Sequence, residues 1–302
     1  TTNPMGSGEY GAVEITNDGG AIVRTGSSSH GQGHHTSWAM IVSQKTGIPM
    51  DKIEFRFGDT DDIERGNGTG GSRSLQVGGT AAQMAAENVI EIARQKAADL
   101  LEAAPEDVVL DAATGAFHVV GSPRPSKTWA EIAIASPVAL FAEADFTPEG
   151  ATFPFGTHVS VVEVDTETGS VAIVRHIACD DAGTILNPLI VDGQVHGGVA
   201  QGIAQALLEE VRYDDGGNPI TSNLADYAFI TAAELPSFER IPMETPTPRN
   251  PLGAKGIGEA GTIGATPAVQ NAVIDAVHHL GVRHIDMPCT ANRVWAALQS
   301  AR

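Results

Sequence analysis

The chain is poor in basic side chains, cysteine and aromatics, and each scarcity removes a class of function. Only 18 lysines and arginines stand against 37 aspartates and glutamates, a formal net charge of -19. That balance excludes a nucleic-acid role, because phosphate backbones are bound through Lys and Arg, and it argues equally against an anionic membrane surface. Two cysteines, Cys179 and Cys289, cannot build a disulfide framework and fit a reduced, cytoplasmic setting. No apolar run reaches the roughly 20 residues that cross a bilayer. The longest, residues 132–142, is interrupted by Ser136 and Pro137. The opening T-T-N-P-M-G has neither the basic nor the apolar stretch of a secretory leader, and it lacks an initiator Met. A processed or truncated piece is therefore expected. No H-E-x-x-H and no G-x-S-x-G occurs, so a zinc-protease helix and a serine nucleophile elbow are both excluded.

Glycine is abundant, at 34 of 302 residues against an average of about 7%. The excess is clustered, which means particular backbone positions require it. Four segments share one layout, a glycine-rich turn leading toward a helix: G-Q-G-H-H-T (31–36), G-N-G-T-G-G-S-R-S (66–74), D-D-A-G-T-I-L-N-P (180–188) and G-A-K-G-I-G-E-A (253–260). Helix N-termini expose unpaired N–H groups and a partial positive charge, so such turns suit a long, phosphate-bearing cofactor. Arg73 adds a cationic fork that fits a phosphate. Residues 256–261 match G-x-G-x-x-G, yet Pro246, Pro248 and Pro251 rule out a central strand before it, and only about 40 residues follow. A Rossmann site is rejected.

A length of 302 residues allows one large domain or two lobes. Alternating stretches 12–15 and 21–24 flank the turn N-D-G-G. A helix is expected over 35–44, ending near Gly47, and a strand over 53–57. Thr80 can cap a helix over 81–103 with Met84, Ile90, Ala97 and Leu101 on its inner face. A hairpin over 108–111 and 116–120, a short helix over 128–134 and a strand over 139–146 complete the first half. The Pro- and Gly-bearing stretch 147–156 is the expected boundary between lobes 1–150 and 151–302. The second half opens with a hairpin, 159–164 and 171–177, then an apolar helix over 197–210. Thr266-Pro267 reads as the start of a helix carrying Val269, Val273 and Val277 inward, and a last helix covers 292–299. Hairpins mixed with helices in both halves give an α+β fold of two related lobes.

His34, His35, His176 and His196 with Asp180 and Asp181 match no zinc or 2-His-1-carboxylate spacing, so no metal ligand is assigned. Gln32 and His34 read better as hydrogen-bonding groups for a ligand. Glu259 is either a solvated loop carboxylate, paired with Lys255, or a general base whose pKa desolvation raises.

Taken together and in order, these strings resemble the xanthine oxidase family of molybdenum hydroxylases. The likeness is to the carboxy-terminal half of the large, molybdopterin-binding subunit, as in carbon monoxide dehydrogenase-like large chains. It rests on G-Q-G-H-H-T, G-D-T-D with G-S-R-S, P-F-G-T-H-V-S-V-V-E-V-D-T-E-T-G, D-D-A-G-T-I-L-N-P, D-G-Q-V-H-G-G-V-A-Q-G, G-A-K-G-I-G-E-A and M-P-C-T-A-N-R-V-W, and covers residues 8–295. The resemblance implies a molybdenum ion on a pterin dithiolene, as the cytosine dinucleotide in bacterial members, with no direct protein ligand to the metal. It implies that Glu259 is the general base, taking a proton from the water-derived oxygen that attacks an aldehyde, an N-heterocycle or carbon monoxide. Gln32, Gly33, His34, Ser72, Arg73, Asp181, Asn187, Gln194, Lys255 and Gly256 fall in motifs that line the pterin and its pyrophosphate. The implied partners are the N-terminal half of the molybdenum subunit, an iron–sulfur subunit with [2Fe–2S] clusters and a flavin subunit with FAD. Without that other half the chain is expected to be catalytically incomplete. A non-catalytic cofactor carrier or assembly partner, and a structural protein without cofactor, are the competing readings. A carrier has no need of a base at Glu259.

Overall fold

A computed structural model describes residues 8–301. The opening T-T-N-P-M-G lies outside them. The chain divides into two compact units, one of residues 8–152 with Pro246–Gly256, the other of Phe153–Thr245 with 257–301.

In the first unit, β1 (Glu9–Ile15) and β2 (Ala21–Thr25) form the expected hairpin, closed where Gly19 N–H donates to the Thr16 carbonyl at 2.9 Å. Then come α1 (His34–Thr46), β3 (Ile53–Arg56) and α2 (Thr80–Leu101). A small sheet follows, β4 (Val108–Asp111), β5 (Ala116–Val119) and β6 (Ser122–Thr128), before α3 (Trp129–Ala135) and β7 (Leu140–Phe146). The main sheet has the order β3-β2-β1-β7. Helix α1 stops at Gly47, whose left-handed φ of 71° lets its N–H reach the Ser43 carbonyl at 2.8 Å.

Helix α2 differs from expectation in two ways. Thr80 is not its cap: a π-helical turn, Ser74–Gly79, already precedes it, and the Thr80 hydroxyl donates to the Gln76 carbonyl at 2.9 Å. The buried stripe is Ala82, Ala85, Ala86, Val89, Ala93 and Ala97, while Met84, Ile90 and Leu101 are only half-buried. Close approach explains this. A methyl group on Gly11 of β1 would lie 2.6 Å from the Ala82 nitrogen, so only small residues fit beneath α2. Around this contact lie Val13, Val23, Trp38, Ile48, Phe117, Ile132 and Leu140, all fully buried.

The second unit holds β8 (Gly156–Val164) and β9 (Val171–Asp181), antiparallel with a bulge at Val161/Val162. Next are α4 (Pro188–Leu207), β10 (Glu239–Met243), α5 (Ala260–His278) and α6 (Ala291–Ser300). Two helix starts lie earlier than expected. Asn187 caps α4 by accepting from Ile190 N–H at 3.2 Å, with Pro188 at the first position; the glycines at 193, 197 and 198 lower helix propensity there and mask the start. Helix α5 begins at Ala260, so Pro267 sits inside it. The Thr266 hydroxyl donates to the Thr262 carbonyl at 3.0 Å and to that of Gly202 at 3.3 Å, tying the interrupted turn to α4. The two helices cross on glycine: a methyl on Gly202 would stand 2.8 Å from Ala265 Cβ, and one on Gly261 2.6 Å from the Val195 carbonyl. Val195, Val199, Ile203, Val269, Val273 and Val277 fill the core below.

Strands β6 and β10, both carrying proline, were not anticipated; each is the edge of its sheet, where proline is tolerated. Residues 246–256, assigned from sequence to the second lobe, cluster with the first unit. Thr247 N–H donates to the Gly253 carbonyl at 3.1 Å, and Leu252 packs against Gly79.

Candidate functional site

All four glycine-rich turns lead into helix starts. Gly33, with φ 73°, is the N-cap of α1, and its carbonyl accepts from Ser37 N–H at 3.1 Å. The half-buried Gln32 accepts from His30 N–H through its amide oxygen. His34 opens α1 buried against Trp38, ring centroids 4.7 Å apart. Its Nδ1 has no hydrogen-bond partner, and burial together with His30 holds its pKa down at about 4. His34 is therefore a neutral imidazole at the head of a helix.

The second turn is clamped onto β1. Glu9, fully buried, accepts from its neighbour Tyr10 N–H at 3.0 Å, from Asn67 N–H at 3.3 Å and from the Ser27 hydroxyl at 3.4 Å. Arg73 Nη1 donates to Glu9 at 3.0 Å and to the Gly68 carbonyl at 3.2 Å, and Nη2 donates to the Gly8 carbonyl. The Arg73 fork, expected from sequence to face a phosphate, is engaged in holding this loop to the sheet. Ser72 takes a left-handed φ of 55°, and its carbonyl accepts from Gln76 Nε2 at 3.1 Å. A methyl on Gly256 would lie 2.4 Å from that same Ser72 oxygen, so G-A-K-G must pass the loop as bare backbone. Lys255 beside it is half-buried. The first unit thus joins Ser72, Arg73, Lys255 and Gly256 in one place.

In the second unit, Asp181 is fully buried. Its Oδ1 accepts from Thr245 N–H at 2.7 Å and Gly183 N–H at 3.1 Å, which fixes the turn leaving β9. Asn187 caps α4 as described, and Gln194, half-buried, lies two turns along it. Glu259 is the N-cap residue of α5; its carbonyl accepts from Ile263 N–H at 3.1 Å and its side chain does not cap the helix. Glu259 is exposed, so the desolvation expected of it is not supplied by this chain.

Three glycines of these turns and two on α4 have no packing reason within the chain. A methyl on Gly31, Gly68, Gly70, Gly193 or Gly197 meets nothing within 4 Å, and two of them, Gly31 at φ 108° and Gly68 at φ 67°, also hold left-handed backbone. Gly193 and Gly197 stand one turn apart on α4, where each costs about 1 kcal/mol relative to alanine. They escaped the reading from sequence, although the four-residue spacing in D-G-Q-V-H-G-G was the available signal. Among the described residues no group of three or more His, Cys, Asp or Glu gathers as a metal site, and no helix is long and apolar enough to cross a membrane.

A family described as "Molybdopterin cofactor-binding domain" matches residues 1–236. The carbon monoxide dehydrogenase large chain of Hydrogenophaga pseudoflava is 40% identical over 98% of this chain and 38% of its own length. The 6-hydroxypseudooxynicotine dehydrogenase complex subunit gamma of Paenarthrobacter nicotinovorans is 36% identical, over 98% of this chain and 38% of its own. Among solved structures, reconstituted CO dehydrogenase from Oligotropha carboxidovorans superimposes with a TM-score of 0.88 at 38% identity, covering 97% of this chain and 37% of that one. The chain therefore spans somewhat over a third of the length of these relatives.

Proposed function

The chain belongs to the molybdopterin cofactor-binding domain family, and on that premise we propose that it forms the cofactor-holding part of a molybdenum hydroxylase with Glu259 as general base. The carrying observation is the set of glycines that face open space. At Gly70, Gly193 and Gly197, which are neither crowded nor left-handed, the chain itself makes no use of a missing side chain, and a ligand that runs along the main chain does. The residues present fit a long pterin nucleotide. In the first unit the candidate contacts are Gln32, Gly33 and His34 at the head of α1, with Ser72, Arg73, Lys255 and Gly256; in the second unit they are Asp181, Asn187 and Gln194. Arg73, Asp181 and Asn187 would act largely by fixing the main chain that meets it, because their side chains already serve the loops. The cytosine dinucleotide form suits the bacterial relatives.

Bound there, the group supplies a two-electron redox centre. Glu259, at the N-terminus of α5, would take a proton from the water-derived oxygen that attacks the substrate carbon. The substrate is an aldehyde, an N-heterocycle or carbon monoxide. The partners are the remaining part of the molybdenum subunit, an iron–sulfur subunit with [2Fe–2S] clusters and a flavin subunit with FAD. Burial of Glu259, which this chain leaves exposed, falls to those partners.

In the assembled enzyme, Glu259→Gln is expected to slow the chemical step by at least about 10²–10⁴-fold with molybdenum content retained. Normal turnover in that variant ends the assignment of the base. Loss of molybdenum would instead make Glu259 a cofactor ligand.

A further inference from the structure

Away from the glycine turns, the inner face of the β8/β9 hairpin carries four polar groups in series. Asp180 Oδ2 lies 3.1 Å from His158 Nε2, His158 Nδ1 lies 3.2 Å from His176 Nε2, and His176 Nδ1 lies 2.7 Å from the Ser160 hydroxyl. The strand register sets this up, with Ser160 opposite His176 and Gly156 opposite Asp180. His176 is fully buried and the side chains of His158 and Asp180 are 2% and 5% exposed, whereas Ser160 is half-buried. Glycines close the row from both sides. A methyl on Gly156 would sit 2.4 Å from Asp180 Oδ1, and one on Gly264 of α5 2.5 Å from the His158 ring.

We infer that Ser160, His176, His158 and Asp180 form a proton relay that takes up one proton at the Ser160 hydroxyl and stores it on His158 beside Asp180. Two hydrogen-bonded states satisfy every nitrogen in the row. In one, Ser160 donates to His176 Nδ1, His176 Nε2–H donates to His158 Nδ1, and His158 Nε2–H donates to the Asp180 carboxylate. In the other, His158 carries both protons and the first two bonds point the opposite way. The step between them balances. A proton from solvent reaches Ser160 Oγ, the Ser160 proton passes to His176 Nδ1, and the His176 Nε2 proton passes to His158 Nδ1; no other bond changes.

The surroundings disfavour storage on His176. Burial and the adjacent His158 hold the His176 pKa down at about 4, so His176 passes the proton on. The paired ions give a neutral buried unit in place of a lone carboxylate. Other charged groups face the row from its neighbours. From β10, Arg240 stands in register with Ala178, the residue opposite His158, and is paired to Asp192 of α4. His196 of α4 is separated from His176 by the Phe238 ring, centroids 5.9 and 6.0 Å from the two imidazoles. The titratable residues of α5 are Asp275 and His278, beyond the turn that carries Gly264. This inference needs no bound cofactor.

The test is magic-angle-spinning NMR of the full-length protein labelled with 15N-histidine, titrated from pH 5 to 9. Wild type is expected to show His158 gaining its second proton at the same midpoint at which His176 moves its single proton from Nε2 to Nδ1. Asp180→Asn is expected to lower that midpoint by about 1–3 pH units, as removal of an adjacent opposite charge does. Ser160→Ala, a small change on a strand, removes the acceptor that the protonated state needs and lowers the midpoint in the same direction. A His176 tautomer that stays fixed while His158 titrates, no transition in the whole range, or a midpoint unmoved in both variants overturns the relay.

Discussion

Replacing Glu9 by glutamine separates two meanings of Arg73. The Glu9 side chain is 0% exposed and that of Arg73 4%, with Nη1 3.0 Å from the carboxylate. Glutamine keeps the volume and one acceptor, so Arg73 keeps a hydrogen bond and loses its counter-charge, while the amide NH2 faces the Tyr10 and Asn67 N–H groups in place of the lost oxygen. Breaking a buried pair from one side leaves an uncompensated ion, at a cost of about 3–5 kcal/mol. The carbonyls of Gly8 and Gly68, which Arg73 also meets, offset part of that and favour the lower end. Urea unfolding at neutral pH, with the slope checked for constancy, measures the loss. A change below about 1 kcal/mol would refute the claim that this pair clamps the glycine loop to β1. If stability holds and molybdenum content falls instead, Arg73 belongs to a phosphate. Loss of stability with proportionate loss of cofactor supports the clamp.

Other consequences follow from close contacts and caps. Gly202→Ala forces a methyl to 2.8 Å from Ala265 Cβ and is expected to cost about 1–3 kcal/mol, the range for overpacked interiors; a stability equal to wild type would mean the α4/α5 crossing is slack. Gly197→Ala is expected to stabilise the chain by about 0.5–1 kcal/mol in thermal unfolding while lowering molybdenum content, since nothing in the chain opposes that methyl; full content would remove the glycine from the cofactor surface. Asn187→Ala removes the cap on α4 and should cost about 0.5–2 kcal/mol, read by the urea midpoint. His34, held at about 4 against an ordinary 6.5, binds its proton in the unfolded chain first. Stability should therefore fall as pH drops from 6.5 toward 4, by roughly 2–3 kcal/mol at most from this group, and His34→Gln should flatten that part of the urea midpoint against pH. An unchanged slope in the variant would count against a buried neutral His34.

Sequence alone determined the turns and what can follow them. The N-D-G-G hairpin, the D-T-E-T-G-S hairpin and the stop of α1 at Gly47 are local: a residue type fixes φ or satisfies an end group, and neighbours in the chain suffice. The four glycine-rich turns were legible for the same reason, and so was the family likeness they carry. Contacts distant in the chain were not legible. That the inner face of α2 is Ala82, Ala85, Ala86 and Val89 depends on Gly11, some 70 residues earlier. The early starts of α4 and α5 were masked by glycines that weaken each helix alone and permit the crossing that holds both. Arg73 reads as a phosphate fork until Glu9 is seen beside it, and His158 and His176 read as scattered histidines until strand register lines them up with Asp180 and Ser160. Local chemistry is written in consecutive residues, while partners for buried charge are chosen by the packing that brings distant strands together.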